Sequence, residues 1–344
     1  MRRIGIIPIA RLKGIPLDLR AKHEYCFFLH DQCVRLLKEY AEKRAEDVKL
    51  KFDSKITAKE FRRIAKAEGP IEALRRTGYP NEAKRIVLNQ ITMRMVSDCL
   101  HHVFEALRCL EKRKVVVALN LLRKPLKDNL TYLAWMLGDE DEFYNEFMTG
   151  EPERLTHSRL GNKRLEIFAK AIAHTQLANM LDASILNAAL FDRRHADGLE
   201  GYFQHAVHLV TVQHLELRTA PQNFNFIFAD PEDDELYHVV YGVLPYALLF
   251  LSHVCAVLFD RIRAIDDGAR DAFYVRTACG YGLVEDKGKT EDMLDEILSQ
   301  SLSCPKCRSK LQITRYNAAR IVMTESYRCP QCRRISPFPF SWLF

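Results

Sequence analysis

From about residue 17 to about residue 300, apolar residues recur at three- and four-residue spacing with charged residues between them, which predicts a mostly α-helical body. "EYCFFLHDQCVRLLKEYAEKRAEDV" and "ITMRMVSDCLHHVFEALRCLEKR" both follow this pattern, the second inside one long helix predicted over 81–112. "KVVVALNLLRKPLKDNLTYLAWML", 114–137, continues it with Pro125 inside. Proline lacks an N–H and crowds the preceding turn, so a kink or break is expected there. Residues 162–191 read as a further long helix or a broken pair, the Asn-Phe alternation at 223–228 as a short extended segment, and "DPEDDE" as an acidic helix start.

After about residue 300 the runs 311–316 and 320–327, rich in β-branched residues, predict a hairpin around "NAA". The chain thereby divides into a basic helical segment (1–80), a helical core (81–283), a linker with a short helix (284–302) and a small β module with an apolar tail (303–344).

One stretch, 237–259, runs 23 residues without Asp, Glu, Lys or Arg, long enough to span a bilayer. His238, Gly242, Pro245, Ser252 and His253 interrupt it and no second such run exists, so it reads as the buried central helix of a large helical domain instead of a membrane span.

The composition, 48% hydrophobic and 28% charged over 344 residues, is that of a soluble globular protein of two or three units. The net charge of +6 is unevenly spread. Residues 1–80 hold 19 Lys and Arg against 11 Asp and Glu, residues 301–344 hold 8 against 1, and the middle is acidic. Two basic ends either attract a polyanion such as nucleic acid or pack on the acidic middle. No secretory signal is evident in "MRRIGIIPIARLKG", and of the ten cysteines Cys26, Cys33, Cys99, Cys109, Cys255 and Cys279 stand singly, which fits a reducing cytoplasm.

The remaining four cysteines form "CPKC" (Cys304, Cys307) and "CPQC" (Cys329, Cys332), with 21 residues between. Two Cys-x-x-Cys turns at this separation predict a zinc ribbon, in which four thiolates hold one structural Zn²⁺ tetrahedrally. Lys306, Arg308, Lys310, Arg315, Arg320, Arg328, Arg333 and Arg334, interleaved with Tyr316 and Tyr327, suit phosphates and stacked bases. Lys306, Arg308, Arg328, Arg333 and Arg334 are the candidate nucleic-acid contacts. Protein contact and a purely structural role remain open readings of the ribbon, and the apolar "SPFPFSWLF" suits docking on the body or on another subunit.

In "MRMVSDCLHH", Arg94 and His101 lie seven residues apart, nearly on one helix face and about 10 Å apart along the axis. Asp98 stands one turn from Arg94, where it can hold the guanidinium. A fixed guanidinium and an imidazole supply what metal-independent RNA cleavage needs, phosphate stabilisation and proton transfer. A long charged helix also carries such a pair without chemistry. His205 and His208, with His214, Glu200 or Glu216 nearby, form a looser metal candidate, and "RRH" at 193–195 an alternative catalytic Arg and His at a helix start. No Walker, dinucleotide-binding or nucleophile-elbow motif occurs.

The helical body, Arg94 and His101, and the following "ALNLLRKPLKDNLTYLAWML" together resemble the HEPN superfamily, particularly helical members among bacterial antiviral and abortive-infection proteins. The resemblance spans roughly 80–260. It implies a multi-helix bundle, a homodimer with Arg94 (phosphate stabilisation) and His101 (proton transfer) of two subunits meeting in one cleft, Arg123 and Asp128 as a loosely matched polar pair, and ribonuclease activity in antiviral defence or as a toxin. A non-enzymatic adaptor, whose body binds a protein and whose ribbon binds nucleic acid or protein, is the alternative.

Overall fold

Helices follow one another along almost the whole chain: α1 (Arg20–Glu42), α2 (Lys55–Glu68), α3 (Pro70–Arg76), α4 (Pro80–Glu111), α5 (Val115–Arg123), α6 (Leu130–Gly138), α7 (Glu140–Met148), α8 (His157–Leu160), α9 (Arg164–Ala173), α10 (Ala183–Phe191), α11 (Glu200–Val207), α12 (Glu235–Ile262), α13 (Asp267–Glu285), α14 (Lys289–Leu298) and α15 (Arg315–Thr324). The antiparallel strands β1 (Ser326–Arg328) and β2 (Ile335–Pro337), with Tyr327 opposite Ser336, form the single sheet among the described residues. This computed structural model describes every residue except 2, 149–150, 213–217, 227–229, 231, 233, 286–287, 299–302 and 344. Ile227 and Phe228 of the expected extended segment, and parts of the 284–302 linker, lie outside the described residues.

The centre is α12, flanked by α1, α4, α6 and α13. It is the one helix among the described residues long and apolar enough to cross a bilayer, and 83% of its most apolar window is buried inside the protein. Apolar side chains from Val240 to Phe259 meet neighbouring helices on all sides, which is why no polar stripe interrupts the run. Around it, buried hydroxyls close onto carbonyls: Tyr25 donates to Thr277 O at 2.8 Å and Tyr237 to Leu110 O at 2.7 Å.

Pro125 is accommodated by a π-helical turn, Lys124–Asn129, between α5 and α6. The wider turn, closed by Leu130 N–H donating to Pro125 O, loosens the register where the ring would crowd the preceding turn. The 162–191 stretch is the broken pair α9 and α10, whose break is fixed by Asp182 accepting N–H bonds from Ser184 and Ile185.

The chain's N-terminal segment is tied to the body by one carboxylate. Glu24 on α1, fully buried, accepts the backbone N–H groups of Ile4, Gly5 (2.9 Å), Ile6 (2.8 Å) and Ile7 (3.0 Å). Ile4 O in turn accepts Arg320 Nη1 from α15 at 3.2 Å. The two ends of the described chain therefore meet. Gly5 makes this approach feasible: its φ is +95°, and a Cβ there would stand 2.7 Å from Arg320 Nη1.

The expected hairpin over 311–327 is not formed. Residues 315–324 are helix α15, and the strands lie further on, at 326–328 and 335–337. Thr314 caps α15 by accepting Asn317 N–H at 3.4 Å, and Ala318, Ala319, Ile321, Val322 and Met323 are buried, with α13 as the main packing partner. Arg276 on α13 closes the contact by donating to the last carbonyls of α15, Val322 O at 2.7 Å and Met323 O at 3.1 Å.

Candidate metal centre and basic surface

The two Cys-x-x-Cys turns have equivalent geometry. In the first, Arg308 N–H donates to Cys304 O at 2.9 Å and Cys304 N–H to Ser309 O at 2.8 Å; in the second, Arg333 N–H donates to Cys329 O at 2.9 Å and Cys329 N–H to Arg334 O at 2.9 Å. Each turn ends on an arginine with φ +58°, a left-handed backbone that costs a Cβ-bearing residue about 1–2 kcal/mol. These turns bring all four Sγ atoms within 4.8 Å of one another. Cys304 and Cys332 Sγ are 3.7 Å apart, Cys307 and Cys329 Sγ 3.6 Å. A tetrahedron with metal–sulfur bonds of about 2.3 Å has edges of about 3.8 Å, so the separations fit four thiolates around one ion and are too long for disulfides.

Ser309, which sequence reasoning passed over, supports the cluster. Its Oγ lies 3.0 Å from Cys307 Sγ and 3.5 Å from Cys329 Sγ. These contacts favour the thiolate forms of Cys307 and Cys329, while Cys332, against the lowering effect of the Arg334 N–H, is pushed up to about 11 by burial and the facing sulfurs. The Ser309 hydroxyl bond is the main influence holding the Cys307 thiol below its ordinary value. The Cys332 N–H, and after it the Ser309 hydroxyl, bring Cys329 down to about 6. The serine two places after the second cysteine was the available signal. Among the described residues no other group of three or more His, Cys, Asp or Glu gathers in this way. His205 instead stacks edge-on against Phe226, while Glu200 is buried against Lys127 and 3.8 Å from Arg193; His214 and Glu216 lie outside the described residues.

The eight cations of the C-terminal module separate into two groups. Arg315 Nε donates to Leu283 O at 2.6 Å, and Arg320 reaches Ile4 O and, at 2.6 Å, Ser326 Oγ, so both serve the fold. Lys306, Arg308, Lys310, Arg328, Arg333 and Arg334 are exposed and make no ion pair among the described residues. The module's one carboxylate, Glu325, is held low by the Ser341 hydroxyl and N–H and by Arg276, against the opposing effect of its burial, and is engaged with those groups instead of with the exposed cations. The expected stacking tyrosines are otherwise engaged: Tyr327 is buried with its oxygen 3.4 Å from Gln312 N, and Arg320 lies over the Tyr316 ring. Phe340 of the tail packs into the protein's own core.

Arg94 and His101 are both exposed on α4. Asp98 does not hold Arg94; it pairs with Lys124 at 2.8 Å and accepts Asn129 Nδ2 at 2.9 Å, both delivered by the π-helical turn. His102, not His101, faces Asp98, with Nδ1 2.9 Å from its carbonyl. Arg94 borders an open, largely apolar cleft of about 380 Å³ with Asp128, Lys124, Tyr132 and Phe147, and His101 does not line it. Arg123 lies one turn before Lys127, its Nε buried without a hydrogen-bond partner.

Comparison with protein-family models, with curated proteins and with solved structures finds no match. The class defined by fold and site is therefore structural: a mostly helical protein bearing a Cys₄ site compatible with one structural metal ion.

Proposed function

We propose that this is a cytoplasmic, nucleic-acid-directed protein, with RNA the favoured ligand, in which a Zn²⁺ ion staples the C-terminal module and the module's exposed cations hold phosphates. The observation that carries this reading is the group of six exposed cations without carboxylate partners among the described residues, on a surface whose backbone is fixed by the two Cys-x-x-Cys turns. Zinc suits the all-thiolate donor set and supplies structure to a module too small to hold itself together. Binding of labelled RNA across a salt series tests the proposal: affinity falls steeply with salt if phosphates are the target, and salt-independent binding, or none, contradicts it.

A second reading, the HEPN-like homodimeric ribonuclease, is favoured by Arg94 at the mouth of a cleft shared with Asp128, while His101 is exposed on the same helix. One protomer does not bring the two side chains together, so a partner copy would complete the site. Cleavage of labelled RNA without divalent metal, lost in both Arg94→Ala and His101→Ala, supports it; equal cleavage by all three proteins excludes this pair. The non-enzymatic adaptor is favoured instead by the exposed apolar residues Leu209, Val210, Val212 and Phe224, a surface suited to a protein partner. Pull-down of one stoichiometric partner that is lost in a Leu209→Ser, Val212→Ser variant tests that reading.

A further inference from the structure

The open cleft beside α4 has a volume of about 380 Å³, which lies in the range of small-molecule sites. Its apolar lining comes from Ile91 and Met95, one turn apart on α4, and from the rings of Tyr132 on α6 and Phe147 on α7. The Tyr132 hydroxyl donates to Leu155 O. Phe147 stacks on Phe143, with ring centroids 6.1 Å apart and planes 15° apart, and Phe143 meets Trp135 edge-on. An aromatic row therefore holds the Phe147 ring in place, although 41% of the residue is exposed.

The polar side chains of the lining are engaged within the protein, with one exception. Asp98 pairs with Lys124 at 2.8 Å and accepts Asn129 Nδ2 at 2.9 Å, and the same amide donates to Met95 O at 3.1 Å. Asp128 is not free either. Arg94 alone is exposed and makes no hydrogen bond or ion pair among the described residues. Its planar guanidinium can donate two parallel hydrogen bonds to one carboxylate. Asp98 and Asp128 stand in the same lining, and their charges oppose a second negative charge on whatever binds there.

We infer that this cleft binds a small amphipathic monoanion, with its carboxylate at Arg94 and an aromatic or branched apolar body packed on Met95, Tyr132 and Phe147. The inference goes beyond the nucleic-acid and ribonuclease readings, because the site lies within one protomer and needs neither RNA nor His101, which does not line the cleft.

Titration calorimetry of the full-length, metal-loaded protein with 2-naphthoate, 2-naphthamide and 2-naphthyl phosphate tests it. The three probes share one aromatic body and carry a single negative charge, none, and nearly two. The wild type should bind naphthoate at a single saturable site, about tenfold or more tighter than the amide, the effect of hydrogen bonds to a charged group. Arg94 makes no polar contact in the fold, so Arg94→Gln should keep the melting temperature, lose the preference for naphthoate and still bind the amide. Phe147→Ala should weaken both probes. Naphthoate bound no more tightly than the amide, a preference that survives Arg94→Gln, unchanged binding in Phe147→Ala, or no binding by the wild type overturns the inference. Tighter binding of the phosphate than of the carboxylate overturns the monoanion assignment.

Discussion

The two ends of the chain carry nearly the same excess of positive charge and spend it differently. In residues 1–80, carboxylates are interleaved with the cations: Lys43 lies 2.5 Å from Glu39, Arg44 2.9 Å from Asp47, Arg63 2.8 Å from Glu60, and Arg76 2.7 Å from Glu68. Arg11 and Lys22 reach inward to Glu111 and Glu285 of the acidic middle. Lys55, Lys59, Arg62 and Lys66 on α2 stay exposed without an ion pair among the described residues, but with Glu60 and Glu68 on the same helix. In the C-terminal module only Glu325 is acidic, and it is engaged with Arg276 and Ser341. Net charge alone does not make a polyanion site. What distinguishes the C-terminal surface is that, among the described residues, its exposed cations have no carboxylate partner and sit beside four cysteines placed compatibly with one structural metal ion.

Removing the metal should have the largest effect and should separate the ends completely. Structural Zn²⁺ sites of this kind contribute on the order of 10 kcal/mol to the folding of their module. Chelation, or Cys304→Ser with Cys332→Ser, is expected to abolish amide-exchange protection across β1, β2 and α15 while α1 and α12 keep theirs. Next, replacing Arg328, Arg333 and Arg334 by Ala should make the salt slope of single-stranded RNA binding shallower by about 2, with little change in melting temperature. The same number of alanines at Lys59, Arg62 and Lys66 should change it far less. Where the ends meet, Gly5→Ala is expected to cost about 1–2 kcal/mol in urea unfolding, because φ +95° disfavours a Cβ and Arg320 must also move. The smallest effect, and the sharpest test of screening, comes from Glu60→Gln with Glu68→Gln: RNA affinity at low salt should rise modestly as the N-terminal cations are released, with little change in stability because the pairs are exposed.

How much of this was legible follows from what each residue is constrained by. The cysteine spacing is itself geometric, since two Cys-x-x-Cys turns with room for a return of the chain can meet at one point, and the four sulfurs do. The helices of the body were legible because burial imposes their period; α4 occupies 80–111 where 81–112 was expected. The 311–327 segment was misread because Ile and Val weigh toward strand, although their cost in a helix is small. Thr314 as cap and the spacing of Ala318, Ile321 and Val322 were the better signals. The surroundings of Arg94 were not legible at all. Asp98 had a partner one turn away in sequence and took Lys124 and Asn129 instead, because a π-helical turn around Pro125 delivers them. That choice is tertiary, and exposed residues such as Arg94 and His101 leave no periodic trace of it.

The central claim is that unscreened cations on the metal-held module, and not net charge, make the nucleic-acid surface. Fluorescence anisotropy of a labelled single-stranded RNA, titrated over a salt series with wild-type protein and with the Arg328→Ala, Arg333→Ala, Arg334→Ala variant, tests it most directly. The account predicts a steep salt slope for the wild type and a slope shallower by about 2 for the variant. Identical slopes for the two proteins would contradict it.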